Sequence, residues 1–212
     1  KDPYKIWVSE IMLQQTQMTT VIPFYENWVN KLPTIQSVAR THIDSLLKLW
    51  EGLGYYRRCH NFHQASKIIV EKYKGIVPSK YDSFKRLPGV GDYTAGAVLS
   101  ISFGIPVPAI DGNVKRVMAR LYGFKHLTKY NGTIIYKAIS IALKNVNPSD
   151  FNQGLMELGA LVCTSESPKC FSCPLSKNCK GYQSGNPINY PQKKVTRAIP
   201  HFNVVTAIIW RG

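Results

Sequence analysis

Acidic residues are scarce in this chain: 12 Asp and Glu stand against 27 Lys and Arg, a formal net charge of +15. Such a deficit favours a polyanionic partner through counterion release, nucleic acid first and an acidic membrane surface second, with a generally basic protein as the plain alternative. No apolar run approaches the roughly 20 residues needed to span a bilayer, which argues against a membrane span. No secretory signal is visible, and Lys1 stands where a Met would open a complete chain, so a fragment of a longer protein is expected. Charged residues are only 18% against 44% hydrophobic, which excludes a disordered chain. The 212 residues suffice for one large domain or two small ones sharing a core. Strand-like alternation is missing from Tyr4 to about Val162, and no internal repeat is found beyond two short Gly-centred turns.

What is present is a succession of helical patterns, predicting an all-α architecture. Val21, Phe24, Tyr25, Trp28 and Leu32 form one three-and-four stripe that Pro33 stops. Ile43 to Trp50 is a second helix, closed by Gly52. Tyr55 to Tyr73 is a third, with Cys59, Phe62, Ala65, Ile69 and Tyr73 along one side. Further helices are expected over Tyr93–Phe103, Asn113–Tyr122, Gly132–Lys144 and Phe151–Val162, the last with Asp150 and Gln153 placed as a capping box. Basic residues such as Lys67, Lys72, Lys74, Lys115, Arg116 and Lys193 are spread along the chain, as a broad binding face requires. Residues 183–201, rich in Gly, Pro, Asn and Gln, read as a linker. Phe202 to Trp210 (FNVVTAIIW) reads as the first strand of a truncated following domain, since a lone strand cannot satisfy its own backbone.

Cys163, Cys170, Cys173 and Cys179 follow a C-x6-C-x2-C-x5-C pattern within 17 residues. Four thiolates in one short loop can surround a metal centre. Structural zinc usually pairs two short knuckles, and only Cys170 and Cys173 make one, so the spacing favours an iron–sulfur cluster over zinc. Disulfides fit poorly with a missing secretion signal and a fifth, separate Cys59, which reads as a small core residue.

Leu87-Pro88-Gly89-Val90-Gly91 joins two helical segments. Its glycines permit a tight turn whose N–H groups, at the start of the next helix, suit a phosphate and would contact it without reading sequence. An ordinary helix–turn–helix link is the alternative. Gly52-Leu53-Gly54 is a similar, weaker turn. Two acids stand in contrasting surroundings. Glu10 lies in Ile6-Trp7-Val8-Ser9-Glu10-Ile11-Met12-Leu13, and facing a pocket it would be held protonated by desolvation. Asp111 precedes a helix, where local donors would keep it ionised. A neutral acid beside an anion is the pairing that cleaves glycosidic bonds. The plainer readings, Asp111 as a helix N-cap and Glu10 as a solvated surface residue, remain open on spacing alone.

Together these motifs resemble the helix-hairpin-helix superfamily of DNA glycosylases with an iron–sulfur loop, and within it the adenine DNA glycosylases of the MutY type. Ser9–Gln17 (SEIMLQQTQ), Leu49–Tyr56 (LWEGLGYY), Leu87–Ala97 (LPGVGDYTAGA), Asp111–Val117 (DGNVKRV) and the cysteine spacing carry the resemblance, over Lys1 to about Tyr182. It implies two helical lobes within residues 1–182 and a 4Fe-4S cluster on the four cysteines at 163–179. The implied activity is hydrolysis of adenine mispaired with 8-oxoguanine or guanine in double-stranded DNA, by a monomer. Glu10 would protonate the flipped adenine and Asp111 would stabilise the cationic sugar, with Tyr93 and Asn113 supporting them. Gln15, Thr16, Leu53 and Tyr55 would probe or wedge the base stack, and Leu87, Gly89, Val90 and Gly91 would form the phosphate-binding hairpin.

Two further features bear on the activity and its context. The endonuclease III branch places a nucleophilic Lys where Tyr93 stands, so a monofunctional enzyme is expected. The family's C-terminal domain resembles Nudix hydrolases, of which residues 202–212 would be the first strand. An intracellular setting is expected: cytoplasm or nucleoid in a bacterium, nucleus or mitochondrion in a eukaryote. The competing readings are a glycosylase for thymine or uracil opposite guanine, a non-catalytic iron–sulfur DNA-binding protein, and a zinc-stabilised DNA-binding module.

Overall fold

Asp2 and Pro3 start the first helix as their chemistry dictates: the Asp2 carboxylate accepts from the Tyr4 N–H at 2.9 Å, and Pro3 needs no donor in the first turn. In a computed structural model of the chain, residues 1–192, 204–207, 209 and 210 are described. The helices are α1 (Pro3–Leu13), α2 (Met18–Lys31), α3 (Ile35–Arg40), α4 (Ile43–Trp50), α5 (Arg57–Tyr73), α6 (Tyr81–Lys85), α7 (Asp92–Phe103), α8 (Gly112–Tyr122), α9 (Lys129–Ala142), α10 (Pro148–Glu157) and α11 (Lys180–Gln183). Among the described residues there is no strand, and no helix is long and apolar enough to cross a membrane.

The apolar stripes converge on two clusters, the two helical lobes the resemblance implied. Trp7, Trp28, Trp50, Phe62 and Phe84 are sealed in the first, built from α1 to α7, with Trp28 and Trp50 edge to face at 5.5 Å. Val114, Met118, Ile135, Ile139 and Leu143 form the second, from α8 to α10. A small third cluster of Ala97, Ile101 and Ala109, with Ile6 and Tyr93 against it, lies where α1 and α7 meet the approach to α8. Cys59 is fully buried in the first cluster, as its helical position suggested, and burial pushes its thiol up to about 12.

Helix positions follow the sequence pattern closely, with one capping correction. Asp150 and Gln153 do not cap the last long helix. Asn147 does, its side chain accepting from the N–H groups of Ser149 and Asp150, while Gln153 donates back to Ser149. Pro148 at the first helical position accounts for the shift, because it favours a cap directly before it. That helix then widens into a π turn over Leu158–Val162. The beginning of the expected linker is held down: Arg120 donates to the Tyr190 carbonyl at 3.1 Å, and the Gln192 N–H to that of Lys125 at 2.9 Å. Of the expected strand, Val204, Val205, Ile209 and Trp210 are exposed and carry no strand pairing. Lys193 and Phe202 lie outside the described residues.

Candidate active site

Glu10 lies one helical turn after Ile6, on the face of α1 turned toward α7. It is 8% exposed, so the solvated-surface reading is set aside. The Tyr93 hydroxyl donates to Glu10 Oε2 at 2.6 Å. Burial raises the Glu10 pKa above the usual carboxylate range. The Tyr93 bond opposes that rise, and the charge of Asp111 reinforces it. Tyr93 is itself raised, by burial and by the neighbouring carboxyl.

Asp111 is the helix cap of the plainer reading, and it stands in the same cleft as Glu10. It caps α8, with Oδ1 accepting from the Val114 N–H at 2.7 Å, and its Oδ2 accepts from Asn113 Nδ2 at 2.9 Å. It also lines the same cleft as Glu10, a space of about 500 Å³ bordered by Gln14, Gln15, Tyr93, Asn113 and Lys115. Three devices put Asp111 there. Buried Asn152 accepts from the Ala109 N–H at 3.1 Å and donates to the Val107 carbonyl at 2.9 Å, pinning the segment that enters α8. Gly159 lets the π turn approach closely: a Cβ there would stand 2.6 Å from the Cβ of Asn113. Arg116 completes the set, donating to Asn113 Oδ1 and to the carbonyls of Gly159 and Cys163. Arg116 therefore points inward and does not belong to the expected basic binding face.

The expected DNA-contact residues are placed unevenly. Gln15 and Tyr55 are exposed and Thr16 is half-buried, but the Leu53 side chain is sealed in the core at 5% exposure. In the hairpin, Leu87 and Val90 are also core residues, leaving backbone as the accessible part. Gly89 takes φ +77°, a left-handed conformation that a side chain would strain. Gly91 caps α7 without any side-chain partner for the first N–H groups. Lys85 is engaged by Asp92, which also accepts from the Tyr81 hydroxyl at 2.9 Å. Arg86 bonds the Asp82 carbonyl.

Cys163, Cys170, Cys173 and Cys179 are free thiols that line one small cavity, with Arg120 and Tyr182 completing its wall. Arg120, 2% exposed, donates to Cys163 Sγ at 3.3 Å and to the carbonyls of Thr164 and Ser165. Burial, then the neighbouring thiols Cys163, Cys179 and Cys173, raise Cys170. Among the described residues no three His, Cys, Asp or Glu side chains are arranged to hold a single metal ion. The four thiols line one shared space, and four cysteine thiols are a donor set that fits a structural metal centre or an iron–sulfur cluster.

Residues 8–133 match the HhH-GPD superfamily base excision DNA repair protein family. The chain belongs to that superfamily. Among curated relatives, this HhH-GPD chain is 44% identical to an adenine DNA glycosylase of Buchnera aphidicola subsp. Baizongia pistaciae over 182 residues, covering 86% of this chain and 52% of that one. It is 44% identical to the adenine DNA glycosylase of Schizosaccharomyces pombe, covering 87% of this chain and 41% of that protein. The human adenine DNA glycosylase is 41% identical, with 85% and 34% covered. The chain thus spans about half or less of the length of these relatives. Among solved structures, a thermostable thymine-DNA glycosylase superposes with a TM-score of 0.80 at 30% identity, covering 86% of this chain and 85% of that one. An endonuclease III trapped as a covalent intermediate with DNA gives 0.72 at 25% identity, with 88% and 87% covered. The resemblance read from the motifs is borne out at the level of the family.

Several residues of this HhH-GPD site were not singled out by sequence reasoning. Asn152 and Gly159 sit in an ordinary helical stretch, and nothing local marks one as a buried clamp or the other as a contact point. Gln14 borders the cleft and donates to Thr94 Oγ1 at 3.2 Å, and its place inside the LQQTQ run was the available signal. Arg58 and Arg120 carry no local mark in the sequence, and the structure shows both bonded inward.

Proposed function

We propose that this chain carries the catalytic part of a monofunctional DNA glycosylase, which hydrolyses the N-glycosidic bond of adenine mispaired with 8-oxoguanine or guanine in double-stranded DNA. The observation that supports this most directly is the pairing of Glu10 with Asp111 in one cleft, the first buried and held toward its neutral form, the second bound at both oxygens. Once a base is flipped into the cleft, Tyr93 engages Glu10 Oε2 and leaves Oε1 free to present the proton. That proton passes to a ring nitrogen of adenine as the bond to C1′ breaks, so the base departs neutral with the bonding pair. Asp111 stabilises the cationic sugar, electrostatically or through a transient ester, and water adds at C1′ while giving its proton to the Glu10 carboxylate. Flipping costs a few kcal/mol and is easier at a mispair, which contributes to selectivity.

The four cysteines would hold a 4Fe-4S cluster. When bound, such a cluster ties the loop at four points, so that exposed Lys169, Lys177 and Lys180 keep a fixed relation to a DNA backbone. Tyr93 occupies the position where the resemblance to endonuclease III would require a lysine, so no Schiff base is expected there.

A second reading has its own support, because the thymine-DNA glycosylase structure superposes well: thymine opposite guanine. One assay separates them. The chain is incubated with duplexes carrying adenine opposite 8-oxoguanine or thymine opposite guanine, then treated with hot alkali. Breaks at adenine that appear only after alkali support the proposal. Breaks at thymine alone favour the second reading, and breaks without alkali would exclude a monofunctional enzyme. No release from either duplex while DNA stays bound would sink the catalytic reading of this chain.

A further inference from the structure

Arg58 enters α5 one residue after its start, and its guanidinium turns inward with no carboxylate among its partners in the described residues. Nη1 donates to the carbonyls of Ile11 at 2.8 Å, Met12 at 2.9 Å and Gln14 at 2.7 Å, which are acceptors at the C-terminal end of α1. Nη2 donates to the carbonyls of Gly54 at 3.1 Å and Leu53 at 3.3 Å, and to Thr16 Oγ1 at 3.3 Å. The cation also stands 5.4 Å from the ring centroids of both Trp50 and Tyr55. A half-buried charge needs compensation, and here backbone carbonyls, the negative end of a helix and two aromatic faces supply it for Nη1 and Nη2, while Nε is buried without a hydrogen-bond partner.

The choice of carbonyls is informative. Gln15 and Tyr55 are two of only three non-glycine residues with positive φ among the described residues, at +58° and +50°. Arg58 holds the carbonyl of the residue directly before each of them, Gln14 and Gly54. Left-handed backbone at non-glycine residues persists where surrounding contacts over-determine it. A single planar fork thus fixes two strained turns that are 40 residues apart in sequence (15 and 55). The same fork grips the end of the helix that carries Glu10. Arg58 also lines a narrow cavity together with Pro88 and Gly89 of the hairpin.

Resting on the glycosylase reading above, we propose that Arg58 is a positioning residue: it clamps the α1 C-terminus, the Gln15–Thr16 loop and the Gly52–Tyr55 turn into one unit, so that the loops that meet the base stack move in register with Glu10. The demand is geometric as much as electrostatic. Lysine would keep a cation at the end of α1, but one ammonium cannot serve both groups of carbonyls as the planar fork does.

The test uses the whole chain with Arg58→Lys and Arg58→Met, read by thermal unfolding, by amide hydrogen exchange and by single-turnover adenine release. Arg58→Lys is expected to recover most of the thermal stability lost in Arg58→Met. In it, exchange quickens together in residues 11–17 and 52–56 while residues 4–8 keep their protection. Adenine release from a saturated complex falls about 100-fold, the loss expected from a misplacement near 1 Å, without a matching loss of DNA affinity. Recovery of both protection and rate by lysine would overturn the proposal and leave Arg58 a simple helix cap. Quickened exchange in one loop alone, or quickened exchange at an unchanged rate, would overturn it too. If the unsubstituted chain releases no adenine but both loops respond together, the clamp stands and the proposed function falls.

Discussion

Replacing Glu10 by glutamine is expected to make the protein more stable at neutral pH and nearly inert. The carboxyl is 8% exposed, accepts one hydrogen bond from Tyr93 at 2.6 Å, and lies near the charge of Asp111. Burial first, then Asp111, raise its pKa in the fold above the ordinary 4.5. Between those two values the folded chain retains a proton that the unfolded chain has released. Stability therefore falls as pH rises through that window, by about 1.4 kcal/mol for each pH unit of its width. Glutamine is nearly isosteric, still accepts from the Tyr93 hydroxyl, and never ionises. The stability of Glu10→Gln relative to the unsubstituted chain should thus be flat below the ordinary carboxylate pKa, climb through the window, and level off above the raised value. The same change removes the transferable proton, so adenine release should fall by about 10²- to 10⁴-fold. Urea unfolding at a series of pH values from about 4 to about 8, beside single-turnover base release, reads both effects. A stability difference that does not vary with pH, or one that shrinks as pH rises, would refute the assignment of Glu10 as a carboxyl held toward its neutral form.

Three further outcomes follow from the site. Asn152→Leu strands the Ala109 N–H and the Val107 carbonyl, so it should cost about 2–5 kcal/mol in urea unfolding, and a change near zero would deny that this amide pins the approach to Asp111. Gly159→Ala drives a methyl into Asn113, so a loss of about 1–3 kcal/mol is expected, with base release reduced more than DNA affinity. Equal losses in both would argue that Asn113 does not hold Asp111 in place. Reconstitution with iron and sulfide should give a broad absorption shoulder near about 400 nm that is lost in Cys170→Ser, whereas a colourless protein with one tightly bound zinc would overturn the cluster assignment.

Much of the helical framework was legible because its causes are local. Ile43–Trp50 forms over the residues its apolar spacing predicts, and α5 ends at Tyr73, before Gly75, as read. The short helices α3 and α6 were not read, since six and five residues give too little periodicity to detect. Asp150 was misplaced as a cap because two candidate caps lie within four residues, and Pro148 decides between them. The hairpin was found from its glycines, yet the inward turn of Leu87 and Val90, like that of Leu53, depends on a core assembled from distant helices.

The sequence by itself determined the all-α character, the grouping of four thiols in one loop, the Gly-centred turns and the two acids worth testing. Each of these depends on residues near one another in the chain, where spacing and composition are enough. Only the tertiary structure decided which plainer reading failed and which held. Glu10 is held toward its neutral form because folding buries it and brings the charge of Asp111 near, against the opposing hydrogen bond from Tyr93, 83 residues away. Arg58, Arg116 and Arg120 are internal struts because carbonyls from remote loops meet them. Charge and burial are properties of surroundings, and here those surroundings are built by segments that the chain brings together only on folding.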